Sequence, residues 1–120
     1  MTDVEYLDLE DLLGLVQALG TGPVRDVGLL DAAVARPRSS AFGTDAYPTL
    51  ELKAAALLDS IVRNRALVDG NKRLAWLACV VFCDLNGLTI ALEDDGAFGL
   101  VMEAAQGHLD VLQIAARLRV

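Results

Sequence analysis

The sequence predicts a mainly α-helical protein, a compact single-domain bundle of about six helices around a central apolar helix, with at most a short two-stranded β element. Hydrophobic residues make up 54% of the 120 residues and aromatic residues only 5%, with Ala and Leu dominating, which is typical of helical proteins. Apolar residues recur at helical spacing between breaks that carry Gly, Pro or a capping residue. Residues 74–83 are apolar nearly all round, which predicts that the other helices surround this one. We expect residues 1–120 to form one domain.

The first two predicted helices are bounded by capping residues, Gly and Pro. Asp8 is a good N-cap for the first helix, and residues 20–23 (Gly-Thr-Gly-Pro) end it. The apolar stripe of this helix consists of Leu9, Leu12, Leu13, Val16 and Leu19. Asp26 caps a second helix, which stops at Arg36 because a residue before proline is pushed out of the α region. Its inward-facing residues are expected to be Val27, Leu30 and Val34.

Two longer helices follow a polar loop of residues 39–48. Thr49 is a natural N-cap for the third helix, from Leu50 to about Asn64. Its apolar stripe consists of Ala54, Leu57, Leu58 and Ile61. The fourth helix runs from about Asn71 to Asn86 and contains the apolar stretch. Within it we expect Trp76 to pack against a neighbouring helix rather than to contact a ligand.

The C-terminal part is predicted to hold one short strand and two helices. Residues 88–92 alternate like a strand that could pair with residues 1–7, which show a similar alternation. Asp94 or Asp95 caps a fifth helix that ends at Gly107, and Asp110 caps a last helix that runs through Leu118. The inward residues of the fifth helix are expected to be Phe98, Val101, Met102 and Ala105.

Residues 63–73, Arg-Asn-Arg-Ala-Leu-Val-Asp-Gly-Asn-Lys-Arg, concentrate the chemistry of the chain. Four of the ten basic residues lie within these eleven positions, whose only acid is Asp69. In a chain of formal charge -7, such a cluster indicates a bound anion. The segment leaves the third helix, breaks at Asp69-Gly70 and enters the fourth helix. The free backbone N–H groups of that helix N-terminus provide an anion site.

Lys72 and Arg73 add formal charge at this helix N-terminus, and an Arg can bind a phosphate bidentately. Asp69 is a suitable oxygen ligand for Mg²⁺, which proteins hold through one or two carboxylates together with substrate phosphates. These residues therefore predict a nucleotide-phosphate site. A plain turn with a solvated first helical turn does not account for Lys72 and Arg73, since cations there oppose the helix dipole.

Residues 65–73, Arg-Ala-Leu-Val-Asp-Gly-Asn-Lys-Arg, resemble the signature of the Fic/Doc superfamily. Lys72 favours the Doc (death-on-curing) branch, whose motif ends Asp-Gly-Asn-Lys-Arg. Residues 27–37, 47–50 and 85–87 are also similar to Doc-type sequences, so the resemblance covers roughly residues 24–87. It implies the Fic/Doc helical fold.

The resemblance implies a toxin that transfers the γ-phosphoryl group of ATP, or of another nucleoside triphosphate, to a Ser/Thr hydroxyl of elongation factor Tu and so blocks translation. By position, Asp69 would hold Mg²⁺, while Gly70, Asn71 and the helix N-terminus would bind phosphate oxygens. Lys72 and Arg73 would neutralise the charge that shifts during transfer. The bulky Lys72 replaces the Gly of the wider Fic branch, which favours phosphoryl transfer over adenylyl transfer (AMPylation), the alternative.

Arg65 departs from the family pattern, in which this position carries the His that acts as general base. An Arg is protonated near neutral pH and has no lone pair to offer, so we expect nucleotide binding with disabled transfer. Two explanations are open: a natural pseudoenzyme, or a replacement that allows a toxic protein to be produced. The intact phosphate and metal positions favour the second.

The resemblance also implies a partner, a Phd-like antitoxin whose disordered C-terminal segment folds onto a groove of the toxin. It further implies that the loop of residues 39–48 lies over the site and helps to hold the target, although a plain connection explains this loop equally well. A function of another class remains open, namely a catalytically silent module that binds nucleotide or antitoxin. Arg65 favours that module.

Composition excludes several other classes. The net charge and a pI near 4.4 argue against direct nucleic-acid binding. No basic region followed by an apolar stretch begins the chain and no segment reaches the length of a membrane span, so we expect a cytoplasmic protein without a signal peptide. Cys79 and Cys83 share one helix face far from His108, the only His, so we interpret them as buried thiols and His108 as a loop residue.

Overall fold

The structure is a computed structural model that describes residues 3–120. Within that range it contains six α-helices, one 3₁₀ turn and one β-hairpin. In chain order these are α1 (Leu9–Leu19), α2 (Val27–Ala35), the 3₁₀ turn (Arg36–Arg38), β1 (Ser40–Ala41), β2 (Thr44–Asp45), α3 (Leu50–Asn64), α4 (Asn71–Leu85), α5 (Asp94–Ala105) and α6 (Val111–Arg117). The predicted mainly α-helical fold is confirmed.

The helix boundaries follow the local capping chemistry. Asp8, Asp26, Thr49 and Asp110 each accept a hydrogen bond from a backbone N–H in the first turn of the helix they precede. At α1 and α6 the third residue of the helix also accepts, through its side chain, a hydrogen bond from the backbone N–H of the N-cap residue, which completes a capping box. For α5 the N-cap is Glu93, one residue before the predicted position, and its side chain makes no capping bond.

The centre of the bundle is α3 rather than α4. Residues 53–62, ten in succession, are all buried, and α3 packs against α2, α4, α5 and α6. On α4 one side stays partly exposed, namely Trp76, Leu77, Val80 and Val81. The apolar composition of α4 predicted instead that α4 is the central helix. Polar residues on α3 concealed its position, because Lys53, Asp59 and Ser60 are buried with hydrogen-bond partners.

The predicted strands at residues 3–7 and 88–92 are absent from the described structure, and Met1 and Thr2 lie outside it. The side chain of Asn86, at the end of α4, binds the first of these segments instead. Its Oδ1 accepts from the Glu5 N–H at 2.9 Å, and its Nδ2 donates to the Glu5 carbonyl at 2.9 Å. The backbone of Glu5 is thus bound by a side chain rather than by a strand ladder.

The two-stranded element lies within the loop that was predicted to be irregular. Strands β1 and β2 pair antiparallel, with Ser40 opposite Asp45 and Ala41 opposite Thr44. All four residues are exposed. An exposed hairpin has no buried face, so its sequence shows no hydrophobic alternation that could reveal it.

Two residues predicted to face inward are exposed. Val27 begins α2 and is 51% exposed, while Phe98 on α5 is 69% exposed. The buried residues of α5 are Ala97, Leu100, Val101 and Ala104. The inward face of α5 is therefore rotated by about one position from the predicted one. No helix within residues 3–120 has both the length and the apolar character needed to cross a membrane.

Candidate active site

A cavity of about 970 Å³ lies between the α3–α4 loop, the first turns of α4, the helix α5 and the α1–α2 linker. A volume of this size is at the upper end of the range for small-molecule sites. The structure places all six predicted site residues in its lining, namely Arg65, Asp69, Gly70, Asn71, Lys72 and Arg73. Residues distant in sequence complete the wall, chiefly Leu19, Arg25, Trp76, Leu77, Asp94, Phe98, Val101 and Met102.

The α3–α4 loop takes its shape from the α1–α2 linker, which runs antiparallel beside it. The Val68 N–H donates to the Pro23 carbonyl at 3.0 Å, and the Gly22 N–H donates to the Asp69 carbonyl at 3.1 Å. The Arg25 N–H donates to the Ala66 carbonyl at 2.7 Å. These bonds satisfy loop backbone that would otherwise be unpaired. Nothing in the local sequence indicated this partnership.

Arg65 ends α3 in the left-handed conformation, with φ 51°. This conformation is unfavourable by about 1–2 kcal/mol for a residue with a Cβ. The Arg25 guanidinium supports it, since Nε donates to the Arg65 carbonyl oxygen at 3.1 Å and Nη2 donates to the same oxygen and, at 3.4 Å, to the Asn64 carbonyl. The backbone of Arg65 is thus fixed, while its exposed side chain lines the cavity.

Gly70 and Asn71 shape the turn into α4. Gly70 has φ 94°, and a Cβ added there would lie 2.4 Å from Cγ2 of Thr21, so no other residue fits without movement. Both polar atoms of the Asn71 side chain bind Leu67, with Oδ1 accepting from its N–H at 3.0 Å and Nδ2 donating to its carbonyl at 2.9 Å. The Asn71 amide therefore closes the loop, and only its backbone N–H faces the helix N-terminus.

The N-terminus of α4 has no side-chain cap. The Leu74 N–H makes the first bond of the helix, to the Gly70 carbonyl at 2.9 Å, which leaves the preceding N–H groups without intrahelical acceptors. This uncapped helix end lies at the cavity beside Lys72 and Arg73. Four basic side chains in the lining, Arg25, Arg65, Lys72 and Arg73, face the two acids Asp69 and Asp94. The site therefore attracts anions in an otherwise acidic chain.

Asp69 is the one predicted metal ligand. Its carboxylate is 84% exposed and lies 3.8 Å from Nη2 of Arg73, which is a loose ion pair. Within residues 3–120, no three His, Cys, Asp or Glu side chains converge to form a metal site by themselves. A single available carboxylate beside an anion site fits Mg²⁺, which keeps waters and takes further ligands from substrate phosphates.

Part of the cavity lining is apolar. Trp76 packs against the core and also lines the cavity, so it does not serve packing alone as expected. Phe98 and Val68 are exposed at the same cavity, at 69% and 65%. Aromatic and aliphatic walls beside a few polar groups are typical of small-molecule sites.

Two other predicted features lie away from this cavity. Residues 39–48 contribute nothing to its lining. Their hairpin is bound to Lys53, whose Nζ lies 3.1 Å from Oδ2 of Asp45, and Lys53 precedes Arg65 by twelve residues, about 18 Å along the helix. His108 is exposed between α5 and α6, as predicted.

Cys79 and Cys83 are both buried, as predicted. A hydrogen bond that the Cys79 thiol donates to Cys83, together with burial, raises the pKa of Cys79. A neutral thiol in this position is a core group and not a nucleophile.

The chain was compared with known proteins. The model of the Fic/DOC family matches residues 6–83, so the match includes α1, which the sequence resemblance did not reach. A protein named Toxin Doc from Mycolicibacterium smegmatis is 52% identical over 118 residues, which cover 95% of this chain and 91% of that protein. The family match spans the cavity-lining loop and α4, and the relative spans almost the whole chain. The chain therefore belongs to the Fic/DOC family and is of the Doc type.

Proposed function

We propose that this protein is a Doc-like toxin of a toxin–antitoxin pair whose cavity is a nucleoside triphosphate site. The observation that carries the proposal is the convergence of Lys72, Arg73 and the uncapped N-terminus of α4 on one cavity with an available carboxylate, Asp69. The relative named Toxin Doc supports the biological role.

Each site residue has a role that follows from its place in the cavity. The N–H groups at the start of α4 bind phosphate oxygens, and Lys72 and Arg73 neutralise their charge. Asp69 holds Mg²⁺, which when bound neutralises phosphate charge and orients the triphosphate. Gly70 and Asn71 keep the loop in the shape that aims these groups.

We assign phosphoryl transfer rather than adenylyl transfer to this site. Lys72 is a long cation at the first turn of α4, in the place where the wider Fic branch has Gly. A side chain of that size reduces the room for the phosphates and favours a triphosphate whose γ-phosphate faces the target. The target is a Ser or Thr hydroxyl of elongation factor Tu, and an antitoxin of the Phd-like kind is the partner in the cell.

Arg65 leaves this chain without a general base. Arg65 lines the cavity and, by the family motif, takes the place of the base, and a guanidinium cannot accept a proton near neutral pH. General-base catalysis contributes about 10²–10⁴-fold to a rate. Transfer by this chain is therefore slower by about that factor than transfer by an otherwise identical chain with His at position 65.

The second candidate function is a catalytically silent module that binds nucleotide or antitoxin. Besides Arg65, the exposed apolar side chains of Val68 and Phe98 beside the cavity favour it, since exposed apolar groups mark binding surfaces.

Isotope transfer from ATP to purified elongation factor Tu tests both candidates. The unchanged chain and Arg65→His are each incubated with γ-labelled or α-labelled ATP and Mg²⁺. We expect the γ label on the target with Arg65→His only. The matched control is Arg63→His, because Arg63 lies two residues earlier, outside the cavity lining. Appearance of the α label instead makes the site an adenylyltransferase. If neither label appears on the target with any variant, transfer to this target is rejected. If ATP does not bind either, the nucleotide site is rejected as well.

A further inference from the structure

We propose that Arg65 is itself a phosphate-binding residue, so that the position of the missing base has become an additional anion-binding group. The chain then retains a bound triphosphate more tightly than a chain with His at this position. This inference rests on the proposed function, because it assumes that phosphate occupies the cavity.

The first support is that the backbone of Arg65 is held independently of its side chain. Arg25 donates to the Arg65 and Asn64 carbonyls, and the Arg25 and Asp26 N–H groups both donate to the Ala66 carbonyl, at 2.7 and 3.1 Å. These contacts fix where the Arg65 side chain begins. Less conformational freedom is then lost when the guanidinium binds a ligand.

The second support is that the Arg65 guanidinium has no partner in the free protein. Within residues 3–120 it makes no hydrogen bond and no ion pair, although it lines a cavity that also contains Asp69 and Asp94. Asp69 is nearest to Arg73. The charge and the five N–H donors of Arg65 are therefore available to a ligand.

The third support is the charge of the cavity. Four basic side chains and an uncapped helix N-terminus face two acidic side chains, so the side chains of the lining have an excess of two positive charges. Like charges around one cavity repel each other, and a polyanion relieves this repulsion. A triphosphate chain carries enough negative charge to contact several of these groups together. A ligand with a single carboxylate carries too little charge to do so.

The difference in phosphate binding between Arg and His at position 65 should depend on pH. A neutral imidazole predominates above its ordinary pKa of about 6.5 and adds no charge, whereas Arg stays protonated throughout and can bind phosphate bidentately. Arg65→His should therefore weaken phosphate binding at about pH 8 and restore it in part at about pH 5.5, relative to the unchanged chain at the same pH.

The test is calorimetric titration with inorganic tripolyphosphate without Mg²⁺, which requires neither catalysis nor a nucleobase. Loss of a hydrogen-bonded charge at position 65 should weaken binding by about tenfold or more in Arg65→Met at about pH 8. Arg65→Lys keeps the charge but not the bidentate geometry, so its affinity for tripolyphosphate should lie between those of the unchanged chain and Arg65→Met. Arg63→Met, outside the cavity, should bind as the unchanged chain does. Thermal unfolding of each variant confirms that the fold is intact.

The outcomes separate this inference from the function on which it rests. If the unchanged chain and Arg65→Met bind tripolyphosphate equally well, Arg65 is not a phosphate ligand, while the phosphate site itself stands. If the unchanged chain binds neither tripolyphosphate nor ATP, both proposals fail. A loss in Arg65→Met without any pH dependence in Arg65→His rejects the charge mechanism, because His must follow its own titration.

Discussion

Gly70 shows how one residue determines the geometry of the site. Its φ of 94° lies in the region that favours glycine, and the side chain of Thr21 from the α1–α2 linker occupies the space where a Cβ would project. The close approach holds the linker against the loop and sets the start of α4. We expect a substitution at this position to affect both the stability of the fold and the shape of the cavity.

We expect Gly70→Ala to lower the free energy of unfolding by about 2–4 kcal/mol, because left-handed strain and a steric clash add together. Urea denaturation measures the change. Gly14→Ala is the matched control, since Gly14 lies within α1 with open space around it. There the same substitution should stabilise by about 0.5–1 kcal/mol. A destabilisation of only about 1–2 kcal/mol at Gly70 would show that Thr21 moves aside, because the left-handed strain remains wherever Thr21 lies.

At the scale of elements, the hairpin is attached to α3 through one buried lysine. Lys53 is 2% exposed and its Nζ donates to the Pro37 carbonyl at 3.3 Å and to Oδ2 of Asp45 at 3.1 Å. Asp45 is 54% exposed at its side chain. Burial by itself lowers the pKa of Lys53, but Tyr6 and Asp45 favour the charged form and hold the pKa above its ordinary value.

The two partners should respond unequally to substitution. Asp45→Asn leaves a buried ammonium without its carboxylate, whereas Lys53→Met leaves a carboxylate that water can solvate. We therefore expect Asp45→Asn to destabilise more than Lys53→Met. Because the folded-state pKa of Lys53 is raised, its contribution is complete below the ordinary value of 10.5 and is lost as the pH rises through the folded value. Denaturation between about pH 9 and 12 should show a smaller loss of stability in Lys53→Met than in the unchanged chain; parallel curves would contradict this assignment.

The sequence predicted those elements whose signals are local. Helix ends were predictable because Asp8, Asp26, Thr49 and Asp110 bind backbone within their own first turns. The site loop was recognisable because its charges and its glycine are adjacent in the chain. The central position of α3 was not predictable, since its buried polar residues depend on partners elsewhere in the chain.

Long-range contributions to the cavity were equally hidden. The α1–α2 linker reaches the α3–α4 loop through backbone bonds, and any sequence can make such bonds. Phe98 was predicted to face inward from its spacing on α5, yet it is exposed and lines the cavity. Periodicity shows that a helix has an apolar face, but it does not fix the rotation of that face to within one residue position.

At the scale of the whole molecule, a small basic cavity lies in a protein of formal charge -7. The overall charge opposes the approach of a free nucleotide, so a neutralising cation should matter more here than in a neutral protein. In the proposed site, Mg²⁺ held by Asp69 would provide that neutralisation. Binding that is specific to the folded state must also raise the stability of the entire bundle.

Thermal unfolding can therefore separate the metal from the nucleotide. A ligand at 100 times its dissociation constant stabilises by about 2.7 kcal/mol, and we expect Mg²⁺ and ATP together to raise the melting temperature more than ATP alone. In Asp69→Asn the increment due to Mg²⁺ should disappear, while ATP alone should bind at least as well, because a negative charge has left the anion site. Asp94→Asn is the control, since it removes an acid from the opposite wall without removing the proposed metal ligand. If Asp69→Asn keeps the Mg²⁺ increment as Asp94→Asn does, Asp69 is not the metal ligand, and the effect of Mg²⁺ is only the neutralisation of ATP in solution.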